Sequence, residues 1–328
     1  FTGGRLINQV KVADLLEHAA RHRFARSREE LVFNVTSVFY NILAQRHVIE
    51  SLTFSEKALT EHLKRIDALI SAQKAAKVDR MRTEVRLADI EQQRVREKNL
   101  MAIQHQALGT LLGISEAIDE LPLTGELETD QDSAMPDPET SLATARRERS
   151  DYLAARAALE AQAGNVDVAK AGHWPTISVQ AGYGGRWATG STTGQGDRAG
   201  DVGRVGVVMD LPIFQGGQVD AKIREQRAAL AAAQERLRAL ELQVKLDVES
   251  ALLNLESAGQ RAKALKKSIA LAKESLRIEQ LKYELAKGAI VDVLDAQAAL
   301  LASETAYYRI LAEFQTAFAQ LKLAIGQE

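Results

Sequence analysis

From Gly217 to about Ala286 the apolar residues return at every seventh position. Ile223, Leu230, Leu237, Val244, Ala251, Ala258, Leu265 and Ala272 form one row; Val248, Leu255, Ala262, Ile269, Leu276 and Tyr283 form a second. The stretch holds no proline, and after Gly217 its one glycine is Gly259. This pattern predicts a single long helix, and a strict seven-residue repeat winds such a helix into a left-handed coiled coil. About 70 residues at ~1.5 Å each give about 105 Å of helix. The pattern stops at Lys287-Gly288-Ala289 and resumes beyond it. There Val293, Leu300, Tyr307, Phe314 and Leu321 again fall every seven residues, with Leu311, Phe318 and Ile325 beside them. Together these segments predict an antiparallel helical hairpin with a tight turn at its far tip. Many seam positions are alanine, which lets a helix approach closely and share two neighbours.

The same hairpin is written twice. Displaced by 213 positions, the chain matches itself without a gap over about 115 residues. Phe1-Thr2-Gly3-Gly4 falls on Phe214-Gln215-Gly216-Gly217, Val78-Asp79 on Val291-Asp292, and Gly113 on Gly326. About a fifth of the aligned positions are identical; the constant register is the signal, because chance matches drift. The unit is too long for a solenoid repeat. It predicts a first hairpin with a helix from about Leu6 to Ala72, a turn near Gln73 to Lys77, and a return through Leu87 and Leu108 to Leu112.

Between the two copies the period changes from seven to two. Ile177, Val179, Ala181 and Tyr183 alternate with Thr176, Ser178, Gln180 and Gly182. Val205, Val207, Met209, Leu211 and Ile213 alternate with Arg204, Gly206, Val208, Asp210 and Pro212. These are two strands of about ten residues, each with an apolar and a small or polar face. Ala188 to Gly203, rich in Gly, Ser, Thr, Asp and Arg, reads as a long solvated loop. This layout fits a hairpin of a transmembrane β-barrel, with Ile177, Val179, Tyr183, Val205, Val207, Met209 and Leu211 facing lipid. Trp174 and Trp187 flank the first strand and are expected at opposite bilayer interfaces. A barrel needs about eight strands or more, so copies of the chain must close it together. The plain alternative is a soluble hairpin, but a lone strand pair is barely stable and the helices offer nothing globular to cover it.

Composition narrows the function. Aromatic residues are 5% and prolines number five, which suits long uninterrupted helices. A net charge of −2 gives no basic field for nucleic acid. With no cysteine, disulfides and thiolate metal sites are excluded. No apolar run approaches about 18 residues, so no helix is expected to span a bilayer. His18, His22, His47, His62, His105 and His173 show no ligand spacing with carboxylates. Gly182, Gly184 and Gly185 precede no helix and are not a phosphate loop. Neither a metal, a cofactor nor an enzymatic activity is expected. The chain starts at Phe1, so a processed, truncated or incomplete N-terminus is expected.

Several motifs resemble the outer-membrane efflux protein (TolC) family of Gram-negative bacteria, and the resemblance covers nearly the whole chain. Leu211-Pro212-Ile213-Phe214-Gln215-Gly216-Gly217 is similar to that family's barrel exit. Tyr283 to Gln297, with Gly288-Ala289-Ile290-Val291-Asp292-Val293-Leu294-Asp295 at its centre, resembles its most recognisable motif. Arg149-Ser150-Asp151-Tyr152-Leu153 resembles its Arg-Pro-Asp-Leu helix start, with Ser150 in place of proline. Trp174-Pro175-Thr176-Ile177-Ser178 resembles the entry to its second barrel hairpin.

The resemblance implies a mainly α fold with a β-hairpin, in which long antiparallel helical hairpins form an α-barrel and the strands belong to a trimeric transmembrane β-barrel. It implies a homotrimer in outer-membrane lipid, extending into the periplasm as the exit duct of an efflux pump or type I secretion system. A periplasmic adaptor and an inner-membrane transporter are its implied partners. Phe1 falls just after the expected end of the first barrel hairpin, so a helix and two strands are expected upstream. The organisation expected is a first hairpin over 1–114, an equatorial segment over 115–150 interrupted by Pro122, Pro136 and Pro138, and a helix over 151–173. A barrel hairpin over 174–213 and a second helical hairpin over 214–328 follow.

The hairpin tips are then the expected working parts. Lys77, Val78 and Asp79 in the first, and Gly288, Ala289 and Ile290 in the second, are the implied adaptor-docking residues. Asp292 and Asp295 lie three residues apart on one helix face; threefold symmetry would make each a ring of carboxylates selecting cations. Tyr283 is placed to hydrogen-bond across the tip and hold it shut. The alternative is that both aspartates only cap or solvate the start of the return helix. Arg80 and Arg82 stand where the second tip has Val293 and Asp295, so the two tips are not chemically alike. The rival class is a periplasmic adaptor or a structural coiled-coil protein; adaptors carry β-rich halves around one hairpin, the inverse of the pattern here.

Overall fold

The computed structural model describes residues 1–114, 123–127, 136–186, 200–285 and 287–327. The elements are α1 (Arg5–Ser71), α2 (Lys77–Leu112), α3 (Pro138–Glu148), α4 (Ser150–Lys170), a 3-10 turn (Ala171–His173), β1 (Thr176–Arg186), β2 (Gly200–Asp210), α5 (Gln218–Glu284) and α6 (Ile290–Ile325). The duplication is carried into the backbone residue for residue. α1 and α5 each hold 67 residues, α2 and α6 each 36, and every bound of the first pair lies 213 positions before its counterpart. The double glycines before α1 and α5 share one conformation, with φ of 62° and 81° at Gly3 and Gly4 and of 58° and 77° at Gly216 and Gly217. Consecutive left-handed residues of this kind are reached without strain only by glycine.

The chain divides into two compact units. One contains Phe1–Phe24 and Ser150–Leu242, hence α4, both strands and the first turns of α1 and α5. Small residues set its helix contacts: Ala19, Ala154 and Ala161 are buried, and a Cβ added at Gly164 would lie 2.6 Å from Val12 Cγ2. Tyr152 donates its hydroxyl to Glu241 at 3.1 Å.

Within this unit β1 and β2 form a two-stranded antiparallel sheet, registered Ile177 to Met209, Val179 to Val207, Ala181 to Val205 and Tyr183 to Gly203. Directly paired residues share a face, so one face is wholly apolar down to Tyr183. The other carries Thr176, Asp210, Ser178, Val208, Gln180 and Arg204. Two sequence expectations need correction here. The loop is shorter than expected, because Gly200 to Gly203 belong to β2. The ladder ends at Thr176 and Asp210, so Leu211 and Ile213 lie past it. The residue before Thr176 is Pro175, which has no N–H to continue the pairing. Trp187 and most of the connection fall outside the described residues.

The second unit contains Ala25–Arg149 and Gln243–Glu328. Its main core joins Val48, Leu52, Leu59 and Ile66 of α1 and Ile90 of α2 to Ile290, Val293, Leu294 and Leu301 of α6, with Leu276 and Tyr283 of α5 packed against them. Ala258 and Ala262 of α5 meet Ile310 and Leu311 of α6 in a second cluster. The seven-residue rows are thus largely the buried seams. Phe318 departs from them at 44% exposure, with the Lys322 ammonium 5.7 Å from its ring centroid. Pro138 opens α3, where Asp137 caps the helix by accepting from Thr140 N–H at 3.0 Å; Pro122 lies outside the described residues. Arg149 is buried and reaches Asp247 at 2.7 Å.

Candidate functional site

The two helical turnarounds are copies of one another. After α1, Lys74 N–H donates to Leu69 O at 2.8 Å; after α5, Lys287 N–H donates to Lys282 O at the same 2.8 Å. Asp79 N–H then bonds Ala76 O at 3.0 Å, and Asp292 N–H bonds Ala289 O at 3.2 Å. Each second residue of every pair is the first displaced by the repeat. The first copy makes its turn with Gln73 at φ 57°, a left-handed conformation uncommon outside glycine and asparagine.

The fold brings both turns together around a cavity of about 550 Å³. Leu69, Gln73, Asp79 and Arg82 line it from the first hairpin, and Tyr283, Glu284, Gly288, Ala289 and Ile290 from the second. Arg65 on α1 reaches Glu284 on α5 at 3.4 Å, and Arg80 holds Asp67 at 2.9 Å across the first hairpin.

The residues singled out in the sequence take different positions here. Lys77, Val78 and Ala289 are exposed, Asp79 and Gly288 half-buried. Ile290 is instead core: it is 1% exposed and packs with Ile66 and Val293, so its side chain offers nothing to a docking partner. Asp292 and Asp295 are both exposed on α6. Asp292 also caps its own helix, accepting from Ala289 N–H at 3.3 Å. Asp79, its repeat counterpart, acts instead on the Tyr283 phenol.

Tyr283 is half-buried, with its hydroxyl buried and without a hydrogen-bond partner among the described residues. Burial pushes its pKa up, and the Asp79 carboxylate adds to the effect. Its ring lies 5.5 Å from that of His62, tilted by 50°. His62 Nε2 is likewise buried and unpartnered among the described residues. Burial holds the His62 pKa below its ordinary value; Arg65 lowers it further and Glu284 opposes.

In the sequence His62 is set aside with the other histidines, and the polar seam above it goes unnoticed. Gln297 donates to Ser55 Oγ at 3.1 Å between α6 and α1. Gln45 bonds the Glu97 carboxylate and its backbone carbonyl, and Arg309 reaches the same carboxylate at 3.1 Å. The signal was present: Ser55 and His62 occupy one seven-residue row with Val48 and Leu69, and Gln45 leads the row of Leu52, Leu59 and Ile66. A polar residue inside an apolar row is buried by its position.

The strand pair supplies the second functional surface. Val179, Tyr183, Val205 and Val207 are 71–81% exposed, and Ile177 and Met209 share their face. Leu211 is exposed as well, beyond the ladder. At the barrel entry Phe1 exchanges both backbone hydrogen bonds with Ile177, each at 2.7 Å, the pattern of a hydrogen-bonded antiparallel pair.

Residues 142–327 match the Outer membrane efflux protein family. The chain is 22% identical over 321 residues to Outer membrane protein TolC of Vibrio cholerae, covering 95% of this chain and 72% of that protein. It is 25% identical over 185 residues to Nodulation protein T of Rhizobium leguminosarum bv. trifolii, covering 55% of this chain and 38% of that protein. In fold, it superposes on a membrane protein from Pseudomonas aeruginosa with a TM-score of 0.87 at 22% identity, over 99% of this chain and 74% of the other. The family is one of ducts rather than enzymes or adaptors, and the chain belongs to it: this is an outer-membrane efflux protein.

Proposed function

We propose that three copies of this protein assemble into one duct, with their strands closing a barrel in the outer membrane and their helical hairpins forming a periplasmic tube gated at the tips. The observation that carries this reading is the strand pair. Its apolar face is uncovered along its whole length, and two strands are far short of the eight or so a barrel requires. Lipid suits the apolar face, and neighbouring copies suit the free edge of β2.

The tips supply the gate. Asp292 and Asp295 each become a ring of three carboxylates under threefold symmetry, and such rings favour cations. The capping bond of Asp292 leaves its side chain exposed and is compatible with that role. Lys77, Val78, Asp79, Gly288 and Ala289 form the surface to which a periplasmic adaptor docks, linking the duct to an inner-membrane transporter. The Tyr283 hydroxyl, without a partner among the described residues of one chain, finds its partner in the closed ring. Single-channel recording tests this. Asp292→Ala with Asp295→Ala is expected to reduce cation preference and block by multivalent cations, and Tyr283→Phe to raise open probability. Unchanged selectivity in the double variant would leave the aspartates as caps alone.

A further inference from the structure

The polar face of the strand pair carries one long cationic side chain with nothing beside it to balance the charge. Arg204 stands opposite Gly182 in the ladder, with Gly206 two residues along its own strand and Gly184 diagonally across. A Cβ added at Gly182 would lie 3.6 Å from Arg204 Nε and 3.7 Å from its Cγ, so the side chain runs out over bare backbone. A Cβ added at Gly184 or Gly206 would meet nothing within 4 Å. Arg204 is exposed and has no hydrogen-bond or charge partner among the described residues. The carboxylate that shares its face, Asp210, ends the ladder six residues along β2. That is about 20 Å at the ordinary rise of a strand, well beyond the reach of an arginine.

An arginine facing lipid near the bilayer midplane is destabilising, so this face belongs to water. Glycine weakens a strand interior and marks places where a ligand comes close to the backbone. Three of them around one guanidinium leave room for a solute to reach it, and its planar fork of donors matches phosphate and carboxylate groups. We propose that Arg204 is an anion-binding group in the barrel lumen. Three copies set three guanidinium groups around one water-filled passage, a collar that draws in phosphate- and carboxylate-bearing solutes and opposes multivalent cations. The proposal rests on the trimeric duct above and adds a charge filter at the barrel, opposite in sign to the carboxylates of the tip. At an ionic strength of about 0.01 M charges are screened over ~30 Å, so the collar acts across a wide lumen in dilute salt and fades as salt is raised.

The absence of cysteine lets the placement of the side chain be read directly. In full-length protein in planar bilayers, Arg204→Cys is expected to react with a membrane-impermeant anionic methanethiosulfonate, with a fall in conductance. Val205→Cys, on the lipid face, is expected not to react. Reaction at position 205 with none at position 204 would mean that the faces are reversed, and the collar would fall. Binding is read with inorganic triphosphate in dilute potassium chloride. Triphosphate is expected to block the wild-type current, to lose that block severalfold in Arg204→Ser and to keep most of it in Arg204→Lys. Arg204→Glu is expected to lower chloride permeability relative to potassium, and to do so equally in the Asp292→Ala, Asp295→Ala background. Equal block in the wild type and Arg204→Ser overturns the collar; with three subunits by native mass spectrometry and intact conductance, the duct then stands. A monomer without conductance overturns both.

Discussion

At the scale of single residues, the tip is organised by what its polar groups lack. A buried polar atom with no partner costs about 1–3 kcal/mol, and among the described residues the His62 and Tyr283 side chains each present one. The His62 pKa is lowered, because burial and then Arg65 disfavour its cation more than Glu284 favours it. A group whose folded-state pKa is depressed in this way binds its proton more readily once the tip opens. Stability of the tip therefore falls as pH drops below about 6.5 toward the folded value, and is unaffected above that range. Amide hydrogen exchange at the ends of α1 and α5, corrected for intrinsic rates, is expected to accelerate between pH 7.5 and 5. His62→Gln should remove that acceleration; an equal acid response in the variant would refute the assignment. None of this was visible in the spacing of histidines, since His62 works through a residue more than two hundred positions away. Asp292 was easier to read, because an acid three residues after a turn is a local capping signal.

Among elements, the clearest sequence signal was the change of period from seven to two and back. The seven-residue rows locate the seams because a coiled coil buries the same positions turn after turn. They do not say which of several neighbours covers an edge position, and Phe318 is left exposed for that reason. The alternation in β1 and β2 separates the faces, whereas the end of the ladder depends on which partner residue is available, so Leu211, though exposed, lies past the paired residues. The apolar face gives a graded prediction. Val207→Lys, near the middle of the apolar face, is expected to destabilise the barrel by about 2–4 kcal/mol, and Val208→Lys, on the opposite face beside Ser178, by much less. Refolding into liposomes over a urea series measures both. Equal losses at the two positions would mean that this hairpin does not lie in a membrane.

The duplication governs the whole molecule. Two copies of one hairpin gave matched helices of 67 and 36 residues, and a constant register at a fifth identity was enough to reveal them. The reason is physical: helix length and turn position are set by where the apolar rows stop and where the backbone must turn, and those few positions are kept while the surface changes. The aligned copies already differ in chemistry at their tips; what the alignment could not reveal is how differently the fold covers them. Ile290 is sealed in a core while its counterpart Lys77 faces solvent, so the two tips are not covered alike within one chain. The strand pair is unfinished in the same sense, with an apolar face and a free edge and no second sheet among the described residues of its unit. Both deficits are met at once if copies close around an axis, each offering what the next one lacks, and a trimer is what the family resemblance implies. Full-length protein extracted in detergent is accordingly expected to show three subunits about one axis by cryo-electron microscopy and by native mass spectrometry. A stable monomer that still buries Val205 and Val207 would show that the hairpin is completed within a single chain, and the ring would have to be abandoned.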